Sequence, residues 1–68
     1  MRITVNGDPR ELPDRSTVTD IVTVMGATPD GRGVAVAIDG EVVPRGEWDA
    51  TQLHEGARVE ILRAIQGG

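Results

Sequence analysis

The sequence predicts an α+β fold: a mixed sheet of about five strands with one main helix packed on one face. Three observations lead there. Residues 1–12 and 34–43 each read as strand, tight turn, strand, around Asn6-Gly7 and Asp39-Gly40. Val18, Ile21, Val22 and Met25 fall at i, i+3, i+4 and i+7, one face of a helix. Arg58 to Ala64 alternates again near the end of the chain. A hairpin of this size is not stable alone, so the helix must cover one face of a shared sheet.

The elements follow in order. Met1, Ile3 and Val5 share one face of a first strand, with Arg2 and Thr4 on the other. Asn6-Gly7-Asp8-Pro9 is a turn signal, because Asn and Gly tolerate positive φ, and Arg10 to Leu12 is expected to return as the second strand. Pro13-Asp14 ends it. Thr17 followed by Asp20 resembles a capping box with a shortened acid, and Gly26 sits where a helix-terminating glycine belongs. The helix is short and rich in β-branched residues, so packing must stabilise it more than propensity does. Ala27 to Gly33 reads as a loop.

Val34 to Ile38 places Val34, Val36 and Ile38 inward and Ala35 and Ala37 outward. Glu41 to Val43 returns from the Asp39-Gly40 turn, and Pro44 stops it. A short helical turn is expected around Trp48, then an irregular stretch to Leu53 and a turn at Glu55-Gly56. In the last strand Val59 and Ile61 face the helix, leaving Leu62 and Ala64 on the outer face with Ala35 and Ala37. The first and last strands are expected to pair in parallel at the centre. The domain should run over 1–64, with 65–68 a flexible tail.

Composition excludes several functions. With 68 residues there is room for one small domain with a thin stability margin. There is no cysteine and one histidine, so neither disulfides nor a zinc site of cysteines or histidines is available. The net charge of −4 and a single aromatic, Trp48, disfavour nucleic acid. All seven basic residues are arginines, so no Schiff base or isopeptide bond can form on a lysine. The longest apolar run, Val34 to Ile38, is far short of the roughly 20 residues of a membrane span. The first residues lack the apolar core of a signal peptide, so a soluble cytoplasmic protein is expected, monomeric when free.

The carboxylates are spread over turns and strand exteriors and read as a solvated surface. Ser16 and Thr17 read as caps. Trp48 has a structural reading, as the plug of a small core, and an interface reading. Arg45 either orients the Pro44 turn or meets a partner carboxylate, and His54 reads as an exposed loop residue. No catalytic residue and no metal ligand stand out, so the chain reads as something other than an enzyme.

The end of the sequence carries the sharpest signal. Gly67-Gly68 alone would be an ordinary frayed terminus. Here it follows a strand with only Ile65-Gln66 between. With that ending, the chain resembles the ubiquitin-like β-grasp proteins, and within them the ThiS family of sulfur carriers for thiamine thiazole synthesis. One stretch carrying the likeness is Ala37-Ile38-Asp39-Gly40-Glu41-Val42-Val43-Pro44-Arg45-Gly46-Glu47-Trp48. The other is Gly56-Ala57-Arg58-Val59-Glu60-Ile61-Leu62, running on to Ile65-Gln66-Gly67-Gly68.

The resemblance implies that the carboxylate of Gly68 is adenylated and converted to a thiocarboxylate. Gly67, Gln66 and Ile65 would form the segment that enters partner active sites. It implies three partners: an E1-like (ThiF-like) adenylyltransferase, a sulfur-donor enzyme and a (ThiG-like) thiazole synthase. ATP and the sulfur donor would be used by the partner, with no cofactor bound by the carrier. Ubiquitin-like proteins generally meet activating enzymes through the sheet face that would hold Leu62, Ala64, Ala35 and Ala37. Three alternatives stay open: the small sulfur-carrying subunit of molybdopterin synthase, a protein-modifying tag, and a β-grasp interaction module with an inert tail.

Overall fold

The computed structural model describes residues 1–26 and 32–63. Five strands form one mixed sheet: β1 (Arg2–Val5), β2 (Asp8–Glu11), β3 (Val34–Ile38), β4 (Glu41–Val43) and β5 (Arg58–Arg63). The spatial order is β2-β1-β5-β3-β4. β1 and β5 pair in parallel, and the other three pairings are antiparallel. The helix α1 (Val18–Val24) joins the two hairpins, and a short 3-10 helix (Arg45–Ala50) lies between the second hairpin and β5 in chain order.

The inward residues behave as their alternation requires. Ile3, Val5, Val36, Val59 and Ile61 from the sheet meet Val18, Ile21 and Val22 from α1 in one buried cluster, with Val34, Ile38 and Met25 packed at its margin. The helix begins as its sequence demands. The Thr17 side chain accepts from the Asp20 backbone N–H, and the Asp20 carboxylate accepts from the Thr17 N–H at 2.8 Å. Arg63 closes the other end by donating to the Met25 carbonyl at 3.0 Å, a cation set against the negative end of the helix.

β2 departs from expectation. It spans Asp8–Glu11 rather than Arg10 to Leu12, and the turn shrinks to Asn6-Gly7, both at positive φ. Pro9 therefore lies inside a strand, opposite Thr4. β2 is an edge strand, so the N–H that proline lacks is not needed by a second neighbour. All four β2 residues are exposed, so no apolar rhythm marked its boundaries.

Trp48 is 2% exposed and plugs the core, as its structural reading requires. Its indole N–H donates to the Val43 carbonyl at 2.9 Å, and the Arg45 guanidinium lies 4.8 Å from the ring centroid. The 3-10 helix is thus held to the end of β4 by its one aromatic side chain. Thr19 on α1 also bonds Asp49 on the 3-10 helix. No buried side-chain polar atom among the described residues lacks a hydrogen-bond partner.

Candidate partner-docking site

The outer face of the sheet, away from α1, carries Leu62, Ala35 and Ala37, three of the four apolar residues expected there. The β3–β5 register sets Ala35 directly opposite Leu62. Leu62 is 66% exposed, Ala35 is exposed and Ala37 is half-buried. A shallow groove of about 360 Å³ runs along Gly33, Val34, Ala35, Leu62 and Arg63, at the end of β5. Ala37 faces Glu60 on one side and Val42 on the other, so a carboxylate borders the patch. Ala64 and the segment Ile65, Gln66, Gly67 and Gly68 lie outside the described residues, as do the 1–64 boundary and the tail.

Val42 belongs to this surface and was missed by strand alternation read within each strand alone. It is 72% exposed, the most open large apolar side chain described. The signal was present. A two-residue Asp39-Gly40 turn forces Ile38 opposite Glu41 and hence Ala37 opposite Val42. The patch thus spans three strands through Leu62, Ala35, Ala37 and Val42.

Two polar devices brace β5 beneath the patch. At its start, Asp39 (φ 51°) and Gly40 (φ 86°) make a hairpin turn that needs positive φ twice. The Asp39 N–H donates to the Arg58 carbonyl at 2.8 Å, and its Oδ1 accepts from the Arg58 N–H at 2.9 Å. Its Oδ2 lies 2.8 Å from His54 Nε2, and His54 Nδ1 lies 3.1 Å from the Glu55 carbonyl oxygen. His54 is exposed, as expected, but it is a partner of the β3–β4 turn rather than an idle loop residue. Further along, Asn6 bonds both backbone groups of Ile61: Oδ1 accepts from its N–H at 2.9 Å, and Nδ2 donates to its carbonyl at 3.1 Å. Neither device was legible in sequence, because both join residues distant along the chain.

The Asp39–His54 contact carries a pH dependence. The Glu55 carbonyl and then the Asp39 carboxylate favour the protonated ring, so the His54 pKa is raised above its ordinary 6.5. The Arg58 N–H and then His54 favour ionised Asp39, whose pKa is lowered from 3.8. A raised folded-state value contributes stability that is complete below the unfolded value and is lost as pH rises through the folded one. The Asp39 contribution is present above its unfolded value and is lost as pH falls through the lowered one. The pair therefore stabilises most from about pH 4 to about pH 6.5. Thermal melts of the natural chain and His54→Gln at pH 5.5 and 8.5 check this. The natural chain should lead by more at pH 5.5, and an equal lead at both values would remove the imidazolium from the account.

Among the described residues no group of three or more histidines, cysteines or carboxylates is placed to hold a metal ion, and no helix is long and apolar enough to cross a membrane. What the fold presents is an exposed apolar patch on a five-stranded mixed sheet with one covering helix. That architecture is the ubiquitin-like β-grasp fold.

Comparison with known proteins narrows the class. A family model described as the ThiS family matches residues 3–68. The chain belongs to the ThiS family. The crystal structure of a thiamine biosynthesis protein (ThiS) from Geobacter metallireducens is 33% identical, with a TM-score of 0.82 over 100% of both chains. A solution NMR structure of a thiamine biosynthesis protein from the same organism gives 33% identity and a TM-score of 0.81, over 100% of this chain and 88% of that one. A thiazole synthase of Paramagnetospirillum magneticum (strain ATCC 700264 / AMB-1) is 31% identical over 68 residues, 100% of this chain. The chain spans only 20% of the length of that thiazole synthase.

Proposed function

We propose that this chain is a sulfur carrier for thiazole formation in thiamine biosynthesis, a substrate for other enzymes rather than a catalyst. The observation that carries the reading is the family match, which runs through Gly68. Two named relatives point the same way: the Geobacter proteins are described as thiamine biosynthesis proteins, and one thiazole synthase contains a segment like this whole chain. The last of these favours a thiazole synthase as the acceptor partner over a molybdopterin synthase.

In this reading the chemistry takes place at Gly68. A carboxylate is a poor electrophile. An E1-like enzyme therefore joins its oxygen to the α-phosphorus of ATP, breaking the bond to the β-phosphate and releasing pyrophosphate. A hydrosulfide equivalent from a sulfur donor then attacks the acyl carbon. AMP leaves with the bonding electrons, and the product is a thiocarboxylate. Glycine has no Cβ, so the carbonyl stays open to attack and the tail fits a narrow pocket. The face formed by Leu62, Ala35, Ala37 and Val42 is the surface that meets the activating enzyme. It is modest and apolar, suited to a transient contact rather than a permanent one.

Intact mass of the 68-residue chain tests the reading after incubation with an E1-like enzyme, ATP and a sulfur source. The expected result is a gain equal to one oxygen replaced by sulfur, mapped to Gly68. No gain, with the enzyme active on its own carrier, returns the chain to the class of β-grasp interaction modules.

A further inference from the structure

We infer that Glu60 selects the partner of the apolar face: its carboxylate stands within that face without a cation of its own, and it fits an activating enzyme that sets an arginine or lysine among apolar side chains. This rests on the reading of the chain as a substrate of such an enzyme.

The placement follows from alternation and register. Val59 and Ile61 are buried on the helix side, so Glu60 belongs to the outer face with Arg58 and Leu62. β5 is the central strand of the five. Ala37 lies directly opposite Glu60, and Val42 lies opposite Ala37. The carboxylate thus shares a row across the sheet with two apolar residues, and Leu62 with Ala35 forms the next row. A protein that covers Leu62, Ala37 and Val42 covers Glu60 as well.

Charge sets this position apart. The strand pairings put two carboxylates on the outer face, Glu11 and Glu60. Glu11 stands opposite Arg2 and pairs with its guanidinium at 3.0 Å. Glu60 is exposed, and its side chain takes part in no ion pair or hydrogen bond among the described residues. Arg58, two positions back on the same face, is exposed and forms no ion pair with it. Toward β3, the small Ala37 side chain leaves room for a visiting group. Toward β1, a shallow hollow of about 540 Å³ runs along Thr4, Asn6, Gly7, Arg58 and Glu60.

In the free chain water solvates this charge. Under a docked protein that water is lost. A covered carboxylate with no partner is strongly unfavourable, whereas a guanidinium or ammonium compensates it through charge-assisted hydrogen bonds. Leu62, Val42 and the alanines offer contact to any apolar partner, and Glu60 rejects those that bring no cation. The net charge of −4 draws a basic surface toward the chain from further away. The contact is made equally before and during the reaction at Gly68. Its loss therefore raises KM and leaves kcat alone.

The test is steady-state thiocarboxylation of the full chain by an E1-like enzyme with ATP and sulfide. It compares the natural chain with Glu60→Gln, Glu60→Asp, Glu60→Arg and Asp8→Asn, each first shown to be folded by its melt. Glu60→Gln should raise KM for the carrier about tenfold, with kcat within about twofold. Glu60→Arg should raise KM further, and Glu60→Asp, which keeps the charge, should stay within about threefold. Asp8→Asn makes the same change of net charge on an exposed residue opposite Val5, toward the helix side, and should leave both constants near the natural values. Added salt should raise the natural chain's KM more than that of Glu60→Gln.

A KM for Glu60→Gln within twofold of the natural value would return Glu60 to the solvated surface. A lower KM would mean that the partner's matching surface is apolar or acidic. An equal rise in Asp8→Asn would assign the effect to net charge, and a loss confined to kcat would assign it to the chemistry. Each of these overturns the inference. If Glu60→Gln does not fold, Glu60→Ser takes its place with the same expectation. A natural chain that accepts no sulfur overturns the parent reading and this one together. A natural chain that does, beside an indifferent Glu60→Gln, overturns this one alone.

Discussion

Trp48→Ala is expected to leave the chain largely unfolded at room temperature. The indole is 2% exposed and is the one aromatic of the sequence. Truncating a buried tryptophan typically costs about 3–5 kcal/mol, through lost transfer energy and the cavity left behind. A domain of this size has on the order of 3–5 kcal/mol in total to lose. The change also removes the N–H that bonds the Val43 carbonyl and the ring beneath Arg45, so the 3-10 helix loses its tie to β4. Trp48→Phe keeps most of the volume and loses the hydrogen bond, for about 1–2 kcal/mol. It should melt cooperatively at a lower temperature. Circular dichroism melts and urea titrations distinguish these outcomes. A cooperative Ala variant melting within a few degrees of the natural chain would show that the core is held without the indole.

Deleting Gly68 should abolish sulfur acceptance while leaving the melt unchanged. The shortened chain still ends in a glycine carboxylate at Gly67, so the chemical group is conserved and only its reach differs, by about 3.5 Å. Loss of at least ~100-fold in thiocarboxylate formation is expected if the carboxylate must be delivered to a fixed adenylation pocket. The unchanged melt is expected because the last member of the buried cluster among the described residues is Ile61. Retention of activity would move the reacting position to any terminal glycine within range. A lowered melting temperature would give the tail a structural role.

These two residues mark the extremes of what was readable before folding. Trp48 was legible as a core plug, beside an interface reading, because a small core with no other aromatic has room for it. The capping box at Thr17 and Asp20 was legible because helix starts are governed by groups three residues apart. The β-grasp order was legible because alternation, helical spacing and two positive-φ turns are all local patterns, and they agree with one another. Ala35 and Leu62 were placed on one face by period-two arithmetic, and the structure sets them opposite each other.

What escaped was decided between elements. β2 carries no buried side chain, so only its pairing with β1 defines its limits, and those fell two residues before the expected start. Val42 joined the docking face through register across a hairpin, not through its own strand. His54 met Asp39 across 15 residues, and Asn6 met Ile61 across 55. A side-chain amide that replaces a peptide group looks, in sequence, like any other Asn-Gly turn. Local chemistry thus set the elements and their inward faces, because those follow from dihedral preference and apolar periodicity. Strand limits, register and the ties on β5 depended on which distant backbone groups were left unpaired once the sheet had formed.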